Sequence, residues 1–213
     1  MGMLHYLYGS DLDHQPQLAD TMFRDRAIQF KDRLNWDVDV NEDGHELDCS
    51  DALNPLYAIW ETPEGRHGGS MRFLPTVGRT MVAEHFWDLT DGVDIQSPLI
   101  WECTRFCLAP HADGRVAAAL ILAAGELMES FYLRHFIGVF DARMPRIYRR
   151  YGLCPDVIGT TGEGPEQIAV GLWEMNRAAW APTLDRVGID RQTSRTWLET
   201  SLALRPKHRV ELG

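Results

Sequence analysis

The chain has little of what the commonest functional classes require. No run of eighteen apolar residues occurs in its 213 positions, so no membrane-spanning helix and no membrane partner is expected. The opening stretch MGMLHYLYGSDLDHQ lacks a basic start and a long apolar segment. No signal peptide is read there, and a cytoplasmic location is expected. The four cysteines (Cys49, Cys103, Cys107, Cys154) form no C-x-x-C pair. They read as free thiols in a reducing compartment, not as a disulfide or a metal set. The eight histidines show neither an H-E-x-x-H pattern nor a cluster with cysteine, so no metal site is expected. Positive charge is scarce as well. A net charge of −10 argues against nucleic acid, whose phosphates demand clustered Lys and Arg.

What is present is enough apolar content for one sizeable core, read as a single domain over 1–213. The charge is uneven. Positions 11–51 are crowded with Asp and Glu, whereas 134–150 hold Arg134, Arg143, Arg146, Arg149 and Arg150 against Asp141 alone. An acidic half suits a cationic small molecule, and a basic patch on an acidic protein suits an acidic macromolecule or a phosphate. A solvated face is the plainer alternative for both.

The most informative segments are MRFLPT (71–76) and WECTRF (101–106). Each reads as buried strand yet carries charge: Arg72 in the first, Glu102 and Arg105 in the second. Buried charges are costly unless paired or used. The segments therefore point to a lined cleft, with a structural salt-bridge network as the alternative.

Periodicity predicts an amphipathic helix over Leu18–Leu34 and an acidic loop over Asn41–Pro55. Strands are expected at Leu56–Trp60, Gly69–Leu74 and Leu99–Leu108, with a short helix over Val82–Thr90. A long helix follows over Val116–Phe136, then a strand at Ile137–Phe140 and a short helix over Arg143–Tyr151, with Pro145 in its first turn. Strands at Asp156–Thr160 and Gln167–Glu174 precede helices at Asn176–Val187 and Thr193–Leu202. Strands first meander and then alternate with helices, which predicts a mixed sheet with helices on both faces.

One constellation ties these segments together. Arg26 and Phe30 are four apart on one helix face, and Trp36 follows in LNWDVDV. Glu46, Asp48 and Asp51 lie in HELDCSD, then come Arg72, Glu102, Arg105 and Phe106. In residue type and spacing this set resembles the acyl-homoserine-lactone synthases, the autoinducer synthases of quorum sensing. Two positions depart from the usual pattern: Ser50 stands where an apolar residue is usual, and Asn35 where glycine is common.

The resemblance implies a three-layer α/β/α sandwich with a mixed twisted sheet, similar to the GNAT acyltransferases. It also implies the reaction: an acyl group from acyl carrier protein, or from acyl-CoA, joins the amine of S-adenosylmethionine. Lactonisation then releases 5′-methylthioadenosine. S-adenosylmethionine is a substrate here, and no cofactor is implied.

The residues themselves agree with that chemistry. Phe30, Trp36 and Phe106 supply aromatic walls and Asp48 and Asp51 carboxylates for a sulfonium next to an adenine, although ordinary core packing would also explain the aromatics. Glu102 is the expected general base, directly or through one water. Arg26 or Arg105 would orient the substrate carboxylate by a bidentate contact. Glu46 and Arg72 are assigned to a charge network with the aspartates.

Glu102 and Arg105, three apart, can share a face only if the strand is bulged or splayed near Cys103–Thr104. The acyl pocket is placed at Gly138, Phe140 and Met128, with Leu153 a further candidate. The resemblance puts Gly138 where a threonine accompanies 3-oxo products, so an unsubstituted chain is expected. Arg143, Arg146, Arg149 and Arg150 are expected to dock the acidic acyl carrier protein or a CoA phosphate.

Two alternatives remain at this stage. One is a GNAT-type N-acyltransferase acting on another amine, against which the region APHADGRVAAA offers a single glycine where a pyrophosphate loop needs several. The other is a non-enzymatic regulatory module that binds a small ligand or a partner protein.

Overall fold

The computed structural model describes residues 2–174 and 176–203. Seven strands form one sheet in the order β1-β2-β3-β4-β5-β7-β6. They are β1 (Met3–Tyr8), β2 (Leu56–Glu61), β3 (His67–Pro75), β4 (Ile100–Leu108), β5 (His135–Asp141), β6 (Asp156–Thr161) and β7 (Ile168–Glu174). Only β4 and β5 run parallel; every other neighbouring pair is antiparallel. The strands β2 and β3 are buried almost throughout, because helices cover both faces.

The helix α1 (Pro16–Ala27) lies on the front face, where Leu18 and Met22 pack on Tyr57 and Ile59. The short α2 (Met81–His85) covers Ile137 and Val170 on the same side through Val82. The back face carries α3 (Gly114–Ser130). It is joined there by α5 (Trp180–Val187) and α6 (Arg191–Ala203). The main core lies between them and the sheet, around Leu4, Ala58, Phe73, Leu120 and Leu127. The helix α4 (Met144–Arg150) follows β5. The expected three-layer mixed-sheet architecture is present. Among the described residues no helix is long and apolar enough to cross a membrane.

Three differences from the sequence reading bear on the site. First, the long helix stops at Ser130, not Phe136. Tyr132 takes a left-handed φ of 55°, and the Leu133 N–H closes the end on the Met128 carbonyl at 2.9 Å. Phe136 then belongs to β5, paired with Trp173. Apolar periodicity continued past the break because helix end and strand both face the same core.

Second, α1 ends at Ala27 and widens into a π-helical turn over Ile28–Arg33. Asn35 sits at φ 53°, the left-handed region that asparagine tolerates better than most side-chain-bearing residues. That accommodates its departure from glycine. Third, β1 was not anticipated. Its inward side chains, Leu4 and Tyr6, alternate with more exposed ones, a signal present but short.

Candidate active site

The front face of the sheet centre holds a closed set of charges. From α1, Arg26 sends Nε to Glu46 Oε2 (2.6 Å) and both terminal nitrogens to Asp51 (2.9 Å each). From β3, Arg72 donates to Asp48 Oδ2 and Asp51 Oδ1 (2.8 Å each) and, through Nε, to Thr104 Oγ1 (3.0 Å). From β4, Arg105 Nη2 meets Glu46 Oε1 at 2.8 Å and Asp48 Oδ2 at 2.7 Å. Tyr57 adds its hydroxyl to Asp51.

Three guanidiniums thus face three carboxylates in paired, forked contacts, the arrangement in which buried charge is tolerable. Burial pushes the Asp51 carboxyl up, but the Arg26 and Arg72 guanidiniums and the Tyr57 hydroxyl outweigh it and hold the group well below the usual carboxylate range. Asp48 is lowered in the same way, burial being overcome by Arg72 and Arg105.

The strand β4 forks away from its neighbour. Pairing with β5 ends at Glu102 opposite Ile137, and beyond it β4 pairs with β3 alone. The β5-facing edge of 103–108 therefore lacks a strand partner. The expected break is present, with the splay starting at Cys103 and the bulge two residues further on. Thr104 faces Arg72 and Cys107 faces Ser70, so Arg105 and Phe106 together oppose Met71.

Arg105 takes a φ of 52°, costly for a residue with a Cβ and offset by its bonds to Glu46 and Asp48. The bulge is what turns Arg105 onto the same face as Glu102 and Thr104. Glu102 itself is 1% exposed. Its two oxygens accept the Met81 and Val82 N–H groups that open α2 (2.9 and 2.8 Å). Burial raises its pKa, while those two N–H groups and Arg72 oppose the rise.

A cavity of about 540 Å³ runs through the fork from front to back. Its front wall includes Phe30, Arg33, Trp36, Met81, Thr104 and Arg105. Phe30 and Trp36 stack on each other at 5.0 Å and 16°, and the Arg105 guanidinium lies 5.4 Å from the Phe30 centroid. The back wall is apolar and aromatic, with Met128, Phe136, Phe140, Tyr148, Trp173 and Trp180. Gly138 lies where β5 leaves β4. A Cβ there would stand 2.8 Å from the Cys103 carbonyl and 3.4 Å from the Trp173 ring. The glycine therefore keeps the chamber open at the crotch of the fork.

The structure divides the sequence-derived candidates into two groups. Phe30, Trp36, Arg105, Phe106, Gly138, Phe140, Met128 and Leu153 line the cavity. Arg26, Glu46, Asp48, Asp51, Arg72 and Glu102 do not; they stand behind its wall. Arg26 is corrected most. Expected on a substrate carboxylate, it is wholly buried and already forked onto Asp51 and Glu46. It positions the loop that carries those carboxylates. Asp48 and Asp51 likewise face arginines rather than the open cavity.

Arg146, Arg149 and Arg150 on α4 and Arg143 at its N-cap are all exposed. Arg143 pairs with Asp141 and Arg149 bonds the Pro145 carbonyl. The other face of α4 (Met144, Ile147, Tyr148) forms chamber wall.

Arg33 was missed by the sequence reading. It lines the cavity mouth, and no hydrogen bond or carboxylate partner engages it among the described residues. Its signal was its place seven residues after Arg26, on the turn between Phe30 and Trp36. A second surprise is a Ser70–His67–Asp25 relay (3.0 and 2.7 Å). It resembles a hydrolase triad, but Ser70 is 2% exposed and His67 3%, and neither lines a cavity. It is a buried hydrogen-bond chain. Among the described residues no His, Cys, Asp and Glu cluster could hold a metal.

An apolar tunnel beside a forked strand of a mixed sheet, with a charged front mouth, is an arrangement suited to acyl transfer. A solved acyl-CoA N-acyltransferase from Pseudomonas aeruginosa shares the fold at a TM-score of 0.53, with 13% identity over 81% of this chain and 99% of that one. The CoA-dependent acyl-homoserine lactone synthase BjaI, solved with SAM and isopentyl-CoA, is nearer: TM-score 0.79, 20% identity, 89% of this chain and 90% of that one. The autoinducer synthase family model matches residues 10–180. An acyl-homoserine-lactone synthase of Rhizobium etli is 36% identical over 81% of this chain and 84% of its own length. The chain belongs to the autoinducer synthase family, and its activity is acyl-homoserine-lactone synthesis.

Proposed function

We propose that the enzyme joins the acyl group of an acyl thioester to the amine of S-adenosylmethionine and then lactonises the product. The observation that carries this is the cavity through the fork. Its charged, aromatic front suits a sulfonium amino acid, and its apolar back suits an acyl chain. The solved relative that holds SAM and isopentyl-CoA together supports the same pairing of substrates.

The adenine stacks on the outer face of Trp36, because Phe30 already occupies the inner one. Arg33 and Arg105 face the substrate carboxylate. In the first step the substrate ammonium gives up a proton, through one water, to Glu102. The burial that raises the pKa of Glu102 makes it a stronger base than an exposed glutamate. The amine then attacks the thioester carbonyl, a C–N bond forms, and the C–S bond breaks to release the carrier thiol. Unpaired backbone N–H groups along the open edge of β4 stabilise the oxyanion.

In the second step a carboxylate oxygen attacks the carbon beside the sulfonium. The lactone closes, and the electron pair of the broken C–S bond leaves with 5′-methylthioadenosine. That step is intramolecular, so positioning is the main demand on the protein.

Acyl carrier protein is the proposed donor, docked on the exposed arginines of α4, with acyl-CoA as the alternative. The test is an assay of purified protein with S-adenosylmethionine and acyl thioesters of both kinds. Methylthioadenosine and an acyl-homoserine lactone should appear in equal amounts. Absence of methylthioadenosine with every acyl-carrier-protein and acyl-CoA thioester would end the proposal.

A further inference from the structure

Tyr148 is the polar group of the back chamber that the reaction above leaves unused. It projects from α4 into the cavity wall, half-buried. Phe140 and Trp173 grip its ring edge-on, at 5.5 Å and 89° and at 5.1 Å and 74°. The ring is therefore held in one direction. No hydrogen bond engages its hydroxyl among the described residues.

Neighbouring polar groups are already committed. Trp173 Nε1 donates to the Leu153 carbonyl (3.2 Å), Thr183 Oγ1 to the Ala179 carbonyl (2.6 Å), and the Asn176 amide to the Gly152 carbonyl (2.8 Å). Burial pushes the Tyr148 pKa up, and nearby Cys103 and Asp141 add to the rise. The phenol therefore stays protonated and can donate.

Its depth in the chamber is also set. Cys103 is the first residue beyond the last β4–β5 pair, and its carbonyl faces Gly138 across the gap. Gly138, bare opposite the Cys103 carbonyl, is one ring away through Trp173. The Tyr148 ring is thus close to the fork, where the thioester end of an acyl chain enters.

A plain alkyl chain pressed against this site would strip water from the phenol and return nothing to it. An oxygen on the chain would accept its proton. Gly138 has no hydroxyl to offer, but Tyr148 supplies one from α4.

We propose that Tyr148 selects an acyl chain carrying an oxygen near its thioester end, a 3-oxo or 3-hydroxy chain in place of the unsubstituted one expected from Gly138. The proposal rests on the acyl-transfer reading above and adds the substitution of the acyl group to it.

The test compares matched thioesters of one chain length, unsubstituted, 3-hydroxy and 3-oxo, on both CoA and acyl carrier protein at saturating S-adenosylmethionine. The wild-type enzyme should favour an oxygenated chain by about tenfold in kcat/KM, the scale of one net hydrogen bond. Tyr148→Phe should bring that ratio close to one, chiefly by slowing the oxygenated series. Preference of the wild type for the unsubstituted chain would overturn the proposal, even if the variant could not be folded. An equal loss on all chains in Tyr148→Phe would overturn it too, since that is the mark of a packing role. Turnover without discrimination defeats the Tyr148 assignment alone, whereas no turnover of any thioester defeats it together with the proposed reaction.

Discussion

The two sides of the fork are built on opposite principles. The front is a lattice of charges in which each guanidinium has its carboxylate, and its residue types leave little freedom. The back is a chamber of aromatic and aliphatic walls, with one glycine at its crotch and one unpaired phenol. A charge network is intolerant because removing one member strands the rest. An apolar wall is tolerant because many side chains of similar volume will serve. Catalytic machinery shared across a family therefore suits the first kind of construction, and substrate choice suits the second.

The largest expected break in this contrast is Arg72→Met. It leaves the nearly buried Asp51 and the half-buried Asp48 without their central partner, and stability should fall by about 3–5 kcal/mol. Urea denaturation measures this, and activity should vanish with it. A loss below about 1 kcal/mol would mean that the network is only decorative.

Glu102→Gln comes next. It should cut turnover by roughly 10²–10⁴ if Glu102 is the base, with the circular dichroism spectrum retained. Unchanged turnover would remove it from that role.

On the back side, Gly138→Thr forces a Cβ against the Cys103 carbonyl. Overpacking of this kind costs about 1–3 kcal/mol, and the apparent KM for the acyl donor should rise while that for S-adenosylmethionine stays put. Equal changes in both would mean that the two halves are not separable.

A smaller effect concerns pH. Burial depresses the His67 pKa, with its Asp25 bond opposing. The unfolded chain therefore binds the proton first, and stability drops as pH falls through about 6.5. The lowered pKa values of Asp51 and Asp48 give a second loss below about pH 4, the ordinary carboxylate range. Denaturation midpoints against pH should show both steps, and His67→Gln should erase the upper one. An upper step that survives in His67→Gln would clear His67 of it.

The mildest change is charge reversal of Arg146 and Arg149. It should raise the apparent KM for an acyl-carrier-protein substrate several-fold, more so at low salt, and leave S-adenosylmethionine alone. Insensitivity to salt would count against docking at α4.

Much of the front was legible because charges in apolar runs are rare and costly, so Arg72, Glu102 and Arg105 stood out from their surroundings. The break in β4 was legible too, from a parity argument: two residues three apart cannot share a strand face without an extra residue. Less was legible behind the sheet. Phe140, Met128 and Tyr148 look like ordinary core in a linear chain. The helix overrun at Phe131–Phe136 arose because apolar spacing does not record a left-handed residue such as Tyr132.

Residue chemistry alone determined that charges sit inside apolar strand segments and that a glycine stands in β5, and the spaced set of charged and aromatic residues resembles the autoinducer synthases. Only the tertiary structure decided which charges are spent on one another and which groups face an open cavity. Arg26 and Arg33, seven positions apart, look alike in sequence; one is locked between Glu46 and Asp51 and the other lines the mouth unpaired. The reason is that a side chain's partners come from distant segments, and their angles and distances are fixed by how the sheet forks and the loop folds back over it.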